Sequence, residues 1–169
     1  DNGMLLYTLG RRGEAEGEFN YPTHLALRDG RLYVTDSLNS RVQVLDLTDR
    51  VMTLVRRLRI KEGIVSLFSM HTTCSVFINE FQKALLTDIR RFLEEMVARD
   101  SYYQHNDPDH SDCDRMNADS HLRAMLLGHS LTLQISGGEV VLGQWQRILM
   151  AELDGPRSRT LRAQVWGVS

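Results

Sequence analysis

Cysteine is scarce in this chain: two residues in 169, Cys74 and Cys113. Two thiols cannot build the disulfide framework of a small secreted domain. They form no Cys-x-x-Cys pair, which argues against a zinc site built on thiolates. Cys74 lies in an apolar stretch and reads as a small buried filler. A sustained Lys/Arg stripe is also missing. The formal net charge is -2, so there is no electrostatic footprint for nucleic acid. The basic clusters, Arg56-Arg57-Leu58-Arg59 and Arg157-Ser158-Arg159, are short, and the first reads as a solvated helix end. No apolar run approaches the roughly 20 residues needed to span a bilayer, so no membrane partner is expected. No signal peptide is visible. The first residue is Asp1 rather than Met, which leaves room for an upstream segment, and a cytoplasmic location is expected.

What is present divides into two grammars. Residues 1–46 are rich in turn residues: Gly10, Gly13, Gly17, Asp29-Gly30 and Asp36-Ser37-Leu38-Asn39-Ser40. Short strands are expected between them at Thr23–Leu27, Leu32–Thr35 and Val42–Leu45. Asp29-Gly30 is a strong hairpin signal, because Gly supplies the positive φ of a tight turn. The run from Gly17 through Phe19, Pro22 and Tyr33-Val34-Thr35-Asp36 to Asn39-Ser40-Arg41-Val42 resembles one NHL repeat, the blade unit of a β-propeller. One blade cannot bury its own faces, and no second period follows.

Residues 47–169 alternate helices and strands. Thr48 or Asp49 can cap a helix bearing Val51, Leu54, Val55 and Leu58 on one face. Ile64–Met70 reads as a buried strand. Gln82–Arg99 reads as a helix whose stripe of Leu85, Ile89, Phe92, Leu93 and Met96 faces the core. Residues 100–116 form an acidic loop, and Asn117 opens a short helix that ends at Gly128. Strands follow near Ser130–Ile135 and Glu139–Leu142, joined at Gly137-Gly138, then near Gln146–Glu152 and Thr160–Trp166. This pattern is α+β with a largely antiparallel sheet.

Polar residues collect at His71-Thr72-Thr73, where a buried strand ends and buried polar groups need partners or a task. A histidine alone there is most simply satisfied by a backbone carbonyl. Thr72 and Thr73 add hydroxyls and N–H groups suited to anionic oxygens. Asn79 and Glu80 fall at the start of the next helix, where Glu80 would complement the helix dipole or serve the site. His105, in the acidic loop, and His121, in the short helix, could converge on His71 as an open divalent-metal site. Asp107, Asp109, Asp112 and Asp114 lack the Gly and terminal Glu of an EF-hand and read as solvated loop charge. Trp145 between two amides reads either as core or as a stacking surface whose neighbour Gln146 reads a ring edge. Arg157 and Arg159 suit a phosphate, with surface salt bridges an equal alternative.

Together these pieces resemble the YjbQ family, in the family's order, over roughly residues 46–169. The matching motifs are His71-Thr72-Thr73, Ile78-Asn79-Glu80, Tyr103-Gln104-His105-Asn106, Asn117-Ala118-Asp119-Ser120-His121, Leu142-Gly143-Gln144-Trp145-Gln146 and Glu152-Leu153-Asp154-Gly155-Pro156-Arg157. The resemblance implies a compact α+β domain of mainly antiparallel sheet, assembled as a homotrimer and preceded here by the NHL-like segment. It also implies a weak secondary thiamine-phosphate synthase activity, which joins a pyrimidine diphosphate to a thiazole phosphate. On that footing His71, Asn79 and Glu80 are the expected catalytic residues. Thr72, Thr73, Trp145, Gln146 and Arg157 are expected to hold substrate. His71, His105 and His121 are expected to ligate a divalent metal, Mg or Zn. The expected partner is a small phosphorylated heterocycle. The competing expectation is a non-catalytic trimeric interaction or ligand-binding module, in which the NHL-like segment recruits a protein partner.

Overall fold

The computed structural model describes residues 42–155, 157 and 159–169, together with the backbone of four strands in the preceding segment. Those strands are β1 (Arg11–Arg12), β2 (Glu18–Phe19), β3 (Pro22–Arg28) and β4 (Arg31–Asp36). β1 and β2 pair in parallel, while β3 and β4 pair antiparallel with Arg28 opposite Arg31. The expected Asp29-Gly30 turn lies outside the described residues, as do Gly10, Gly13, Gly17 and residues 37–40.

The remaining order is β5 (Gln43–Asp46), α1 (Thr48–Leu58), β6 (Glu62–Ser69), β7 (Cys74–Asn79), α2 (Lys83–Met96), a 3-10 turn (Gln104–Asn106), α3 (Ala118–Leu127), β8 (Ser130–Ser136), β9 (Glu139–Val140), β10 (Arg147–Glu152) and β11 (Leu161–Val168). Two antiparallel sheets result, β5-β10-β7 and β11-β6-β8-β9. The expected α+β class holds for these residues. β5, read from sequence as the close of the first segment, is hydrogen-bonded to β10.

β10 is the central strand of the first sheet, and its residues alternate between two cores. Ile148 packs with Leu47, Val51, Val55, Val65, Leu67 and Val76, between the two sheets and under α1. Leu149 and Ala151 face the opposite way, toward Leu93 of α2 and Ala124 of α3. The molecule is thus layered: α2 and α3, a three-stranded sheet, the main core, then the four-stranded sheet.

Several local expectations are corrected. Neither Thr48 nor Asp49 caps α1: the N-cap position is Leu47, which offers no side-chain hydrogen bond, and the Asp46 carboxylate just before it accepts the Thr48 N–H at 2.8 Å and the Thr48 hydroxyl at 2.6 Å. Thr48 is already helical, and its hydroxyl oxygen accepts the Ile148 N–H at 3.0 Å. β7 was not expected as a separate strand. Of the α2 stripe only Leu93 is fully buried, while Phe92 and Met96 are exposed. The Gly137-Gly138 hairpin is as expected, both residues having positive φ, 59° and 84°. Gly63 stands opposite Gly167 in the β6–β11 pair, where a Cβ on Gly63 would collide with the Trp166 carbonyl.

Candidate functional site

β6 lies in one sheet and β7 in the other, so the chain between them, Met70 to Thr73, crosses at an end of the sandwich. Its polar groups are held by the β10–β11 connection. The Met70 N–H donates to the Thr160 carbonyl at 3.1 Å, and the Leu153 N–H donates to the Thr73 carbonyl at 3.2 Å. The Thr160 N–H donates to Nε2 of His71 at 2.8 Å. That bond leaves Nε2 as the acceptor nitrogen and puts the proton of a neutral imidazole on Nδ1.

α3 enters the same end of the molecule. The Ser120 hydroxyl donates to the Leu153 carbonyl at 2.6 Å, and the Ser75 hydroxyl donates to the Ala124 carbonyl at 3.1 Å. The Asn106 side chain accepts the Ala118 N–H at 3.0 Å, which ties the 3-10 turn to the helix start. The buried Arg123 joins Asp119 at 3.1 Å and donates to the Val97 carbonyl at 2.8 Å, fixing the end of α2. These bonds bring His105 beside His121, with ring centroids 5.0 Å apart in an edge-on arrangement. Burial and the neighbouring His105 charge hold the His121 pKa below that of a free histidine.

A cleft of about 310 Å³ opens here, lined by Met70, His71, Thr72, Thr73, His105, Cys113, Arg115, Asn117, His121, Asp154 and Arg159. Five of the expected site residues therefore share one cavity: His71, Thr72, Thr73, His105 and His121. Arg157 does not line it, but its Nε lies 3.3 Å from Asp154, which does. Arg159, read from sequence as suited to phosphate, is committed elsewhere. Its guanidinium is hydrogen-bonded through both Nε and Nη2 to the buried Glu152, and Nη2 also donates to the Thr73 hydroxyl at 2.9 Å. Burial opposes the charged guanidinium, but the Glu152 contacts outweigh it and the Arg159 pKa is raised.

Asn79, Glu80, Trp145 and Gln146 do not join the cleft. They sit at the other end of β7, about 20 Å from Thr73 at ~3.3 Å per strand residue. Asn79 is opposite Arg147 there. The Asn79 side chain accepts the Glu80 N–H at 2.9 Å, Gln146 Oε1 accepts the Gly143 N–H at 2.8 Å, and Trp145 is 66% exposed. α2 begins at Lys83, so Glu80 does not occupy its first turn.

The histidines also differ from the expected ligand set. All three line the cleft, but His71 offers Nε2 to a backbone N–H. Among the described residues no group of three or more His, Cys, Asp or Glu is arranged to hold a metal ion. Sequence reasoning passed over Arg115 and Asn117 as cleft residues, and treated Asp154 only as part of a turn. Arg115 sits among acidic residues, and nothing in its local pattern distinguishes it from a solvated loop charge. No helix among the described residues is long and apolar enough to cross a membrane.

The fold and this cleft define a class: a two-sheet α+β protein with an imidazole-lined cavity where the sheets join. The family model described as UPF0047 protein YjbQ-like matches residues 33–168, and the chain belongs to that family. A UPF0047 protein from Methanothermobacter thermautotrophicus is 43% identical over 147 residues, 87% of this chain and 92% of the relative. One from Archaeoglobus fulgidus is 41% identical over 119 residues, 70% of this chain and 87% of the relative. Among solved structures, a protein of unknown function from Sulfolobus solfataricus superimposes with a TM-score of 0.69 at 32% identity, covering 78% of this chain and 91% of the other. A hypothetical protein from Aeropyrum pernix gives 0.69 at 34% identity, covering 78% and 93%. The NHL repeat model matches residues 19–45, which overlap the start of the YjbQ match and lie mostly outside the fully described part.

Proposed function

We propose that the cleft binds a small phosphorylated heterocycle and that the chain is a transferase of low activity resembling secondary thiamine-phosphate synthase. The observation that carries this reading is the convergence of His71, His105 and His121 with Arg115, Thr72 and Thr73 on one cavity. In the reaction, the C–O bond between the pyrimidine methylene and its diphosphate breaks and the electron pair leaves with pyrophosphate. The thiazole nitrogen forms the new C–N bond, with no oxidation or reduction. The protein must stabilise charge developing on the leaving oxygens, a task for hydrogen-bond donors fixed in advance. Arg115, the Thr72 and Thr73 hydroxyls and the Nδ1–H of His71 are the donors available to it.

The cavity is near the lower end of the ~300–1,000 Å³ typical of small-molecule sites, so it suits one substrate rather than two. The second substrate then approaches from the open side. A divalent cation, Mg or Zn, is part of the proposal, but the three imidazoles as placed do not make its ligand set. Mg²⁺ coordinates chiefly through phosphate oxygens and water in such sites.

A homotrimer belongs to the same proposal. Among the described residues β11 is hydrogen-bonded on one side only, and Phe92, Met96, Met125 and Leu126 are exposed apolar side chains of the kind that mark interfaces. In such an assembly Asn79, Glu80, Trp145 and Gln146 of one copy could face the cleft of another. Light scattering on the eluting protein tests the trimer directly.

The activity test is thiamine-phosphate formation from the two phosphorylated substrates with Mg²⁺. His121→Ala and His71→Ala should each lower it at least tenfold, with His110→Ala as the control outside the cleft. Absence of both product and pyrophosphate binding in the unmodified protein would end this reading. The second reading, a non-catalytic module, rests on the NHL match at residues 19–45. Deleting residues 1–40 should leave ligand binding intact if the cleft is the functional part, and abolish partner capture if the first segment is.

A further inference from the structure

Asp154 is the cleft residue whose chemistry the described neighbours leave incomplete. Its side chain is only 9% exposed, and its Oδ2 atom is shielded from solvent with no hydrogen-bond partner among the described residues. Arg157 Nε approaches that oxygen at 3.3 Å and Arg115 Nη1 at 4.0 Å, and neither forms a hydrogen bond. Its own backbone N–H donates to Glu152 Oε1 at 2.9 Å, which fixes where the carboxylate stands. A buried carboxylate oxygen without a donor is costly and calls for an explanation. Glu152, two residues earlier, shows the contrast: it is fully engaged by Arg159. The end of β10 and the two residues after it thus carry one carboxylate used for structure and one whose Oδ2 has no donor among the described residues.

The two arginines beside Asp154 are lightly held. Their side chains are 56% and 35% exposed, and neither guanidinium makes a hydrogen bond among the described residues. A phosphate, with more charge and bidentate geometry, is a better acceptor for a guanidinium than a carboxylate met at poor angle. An arriving phosphate would therefore draw Arg115 and Arg157 toward itself. That movement uncovers Asp154 Oδ2, which then needs a donor from the ligand.

We propose that Asp154 is a specificity-determining residue: it accepts an N–H from an amino group carried on the ligand's ring while Arg115 and Arg157 take the ligand's phosphates. The site thus selects a heterocyclic phosphate with an amino group close to the phosphorylated carbon, of which an aminopyrimidine diphosphate is one. This rests on the proposed function, because the cleft must first bind a phosphorylated ligand. A hydrogen bond to a charged acceptor is strong, and a ligand lacking the donor would leave Asp154 buried and unpaired. Discrimination of about 10- to 100-fold follows.

Calorimetry on the full chain at fixed Mg²⁺ tests this with three probes: inorganic pyrophosphate, the aminopyrimidine diphosphate, and the same pyrimidine diphosphate without its amino group. The amino ligand should bind the unmodified protein at least tenfold more tightly than its des-amino analogue. Asp154→Asn should reduce that preference to less than threefold while binding pyrophosphate at least as well, since a negative charge has gone. Arg115→Ala should weaken all three probes together and keep the preference for the amino ligand. Equal binding of the two pyrimidines by the unmodified protein would overturn the Asp154 assignment and leave the phosphate-binding reading standing. A preference that persists at full size in Asp154→Asn would do the same. If no probe binds the unmodified protein, both readings fall. The unmodified-protein comparison decides the matter even if the Asp154 variant does not fold.

Discussion

Replacing Arg159 with methionine should be among the most damaging single changes in the chain. The guanidinium and the Glu152 carboxylate are 7% and 5% exposed, and Arg159 also donates to Thr73 at the start of β7. Arg159→Met keeps the length of the side chain but leaves Glu152 charged, buried and facing only the Asp154 N–H. Removing one partner of a buried pair costs about 3–5 kcal/mol. With a urea dependence of about 2 kcal/mol per molar, the unfolding midpoint should fall by about 1.5–2.5 M. The comparison must be made at one protein concentration, because any assembly adds a concentration-dependent contribution. The double variant Glu152→Met/Arg159→Met should regain all but about 1–2 kcal/mol, since an apolar pair of similar volume needs no charge partner. A single variant within about 0.5 kcal/mol of the parent, the ordinary range for surface substitutions, would refute the claim that this pair anchors the wall of the cleft.

Ile148→Ala should cost about 2–5 kcal/mol in the same urea experiment, because Ile148 is fully buried in the main core and its neighbours belong to two sheets and a helix that cannot collapse together. Cys74 is fully buried and its thiol pKa is raised by that burial, so it should resist a thiol reagent at pH 8 in the native protein and react after unfolding, while Cys113, partly exposed, reacts at once. His121 should titrate below the ~6.5 of a free histidine in EDTA-treated protein followed by NMR, and His105→Ala should move its midpoint upward. The unfolded chain binds this proton more readily than the folded one. Stability is therefore fully present above pH ~6.5 and declines as pH falls from there through the lower folded midpoint.

The fold was legible where a segment has one buried face. α1 shows Val51 and Val55 one turn apart, and the Gly137-Gly138 hairpin announces itself by residue type. β7 escaped because Cys74, Ser75 and Val76 are all buried, so the strand lacks the two-residue alternation that betrays a half-buried one. The stripe on α2 was visible, but its destination was not. Leu93 meets the sheet, whereas Phe92 and Met96 face outward.

The same division runs through the site. Sequence alone determined that His71-Thr72-Thr73 is a polar strand end, that His105 and His121 are candidates to meet it, and that no thiolate or basic stripe offers a different chemistry. Those conclusions depend on residue type and local spacing, which the chain carries without folding. Only the tertiary structure decided which groups meet. It placed the Thr160 N–H on His71, gave Arg159 to Glu152 and Thr73, set Arg115 beside Asp154, and left Asn79, Glu80, Trp145 and Gln146 a strand's length away. Ion pairs and hydrogen bonds act over a few ångströms between residues far apart in sequence, 89 positions for Thr160 and His71, so their partners are fixed by strand register and sheet packing.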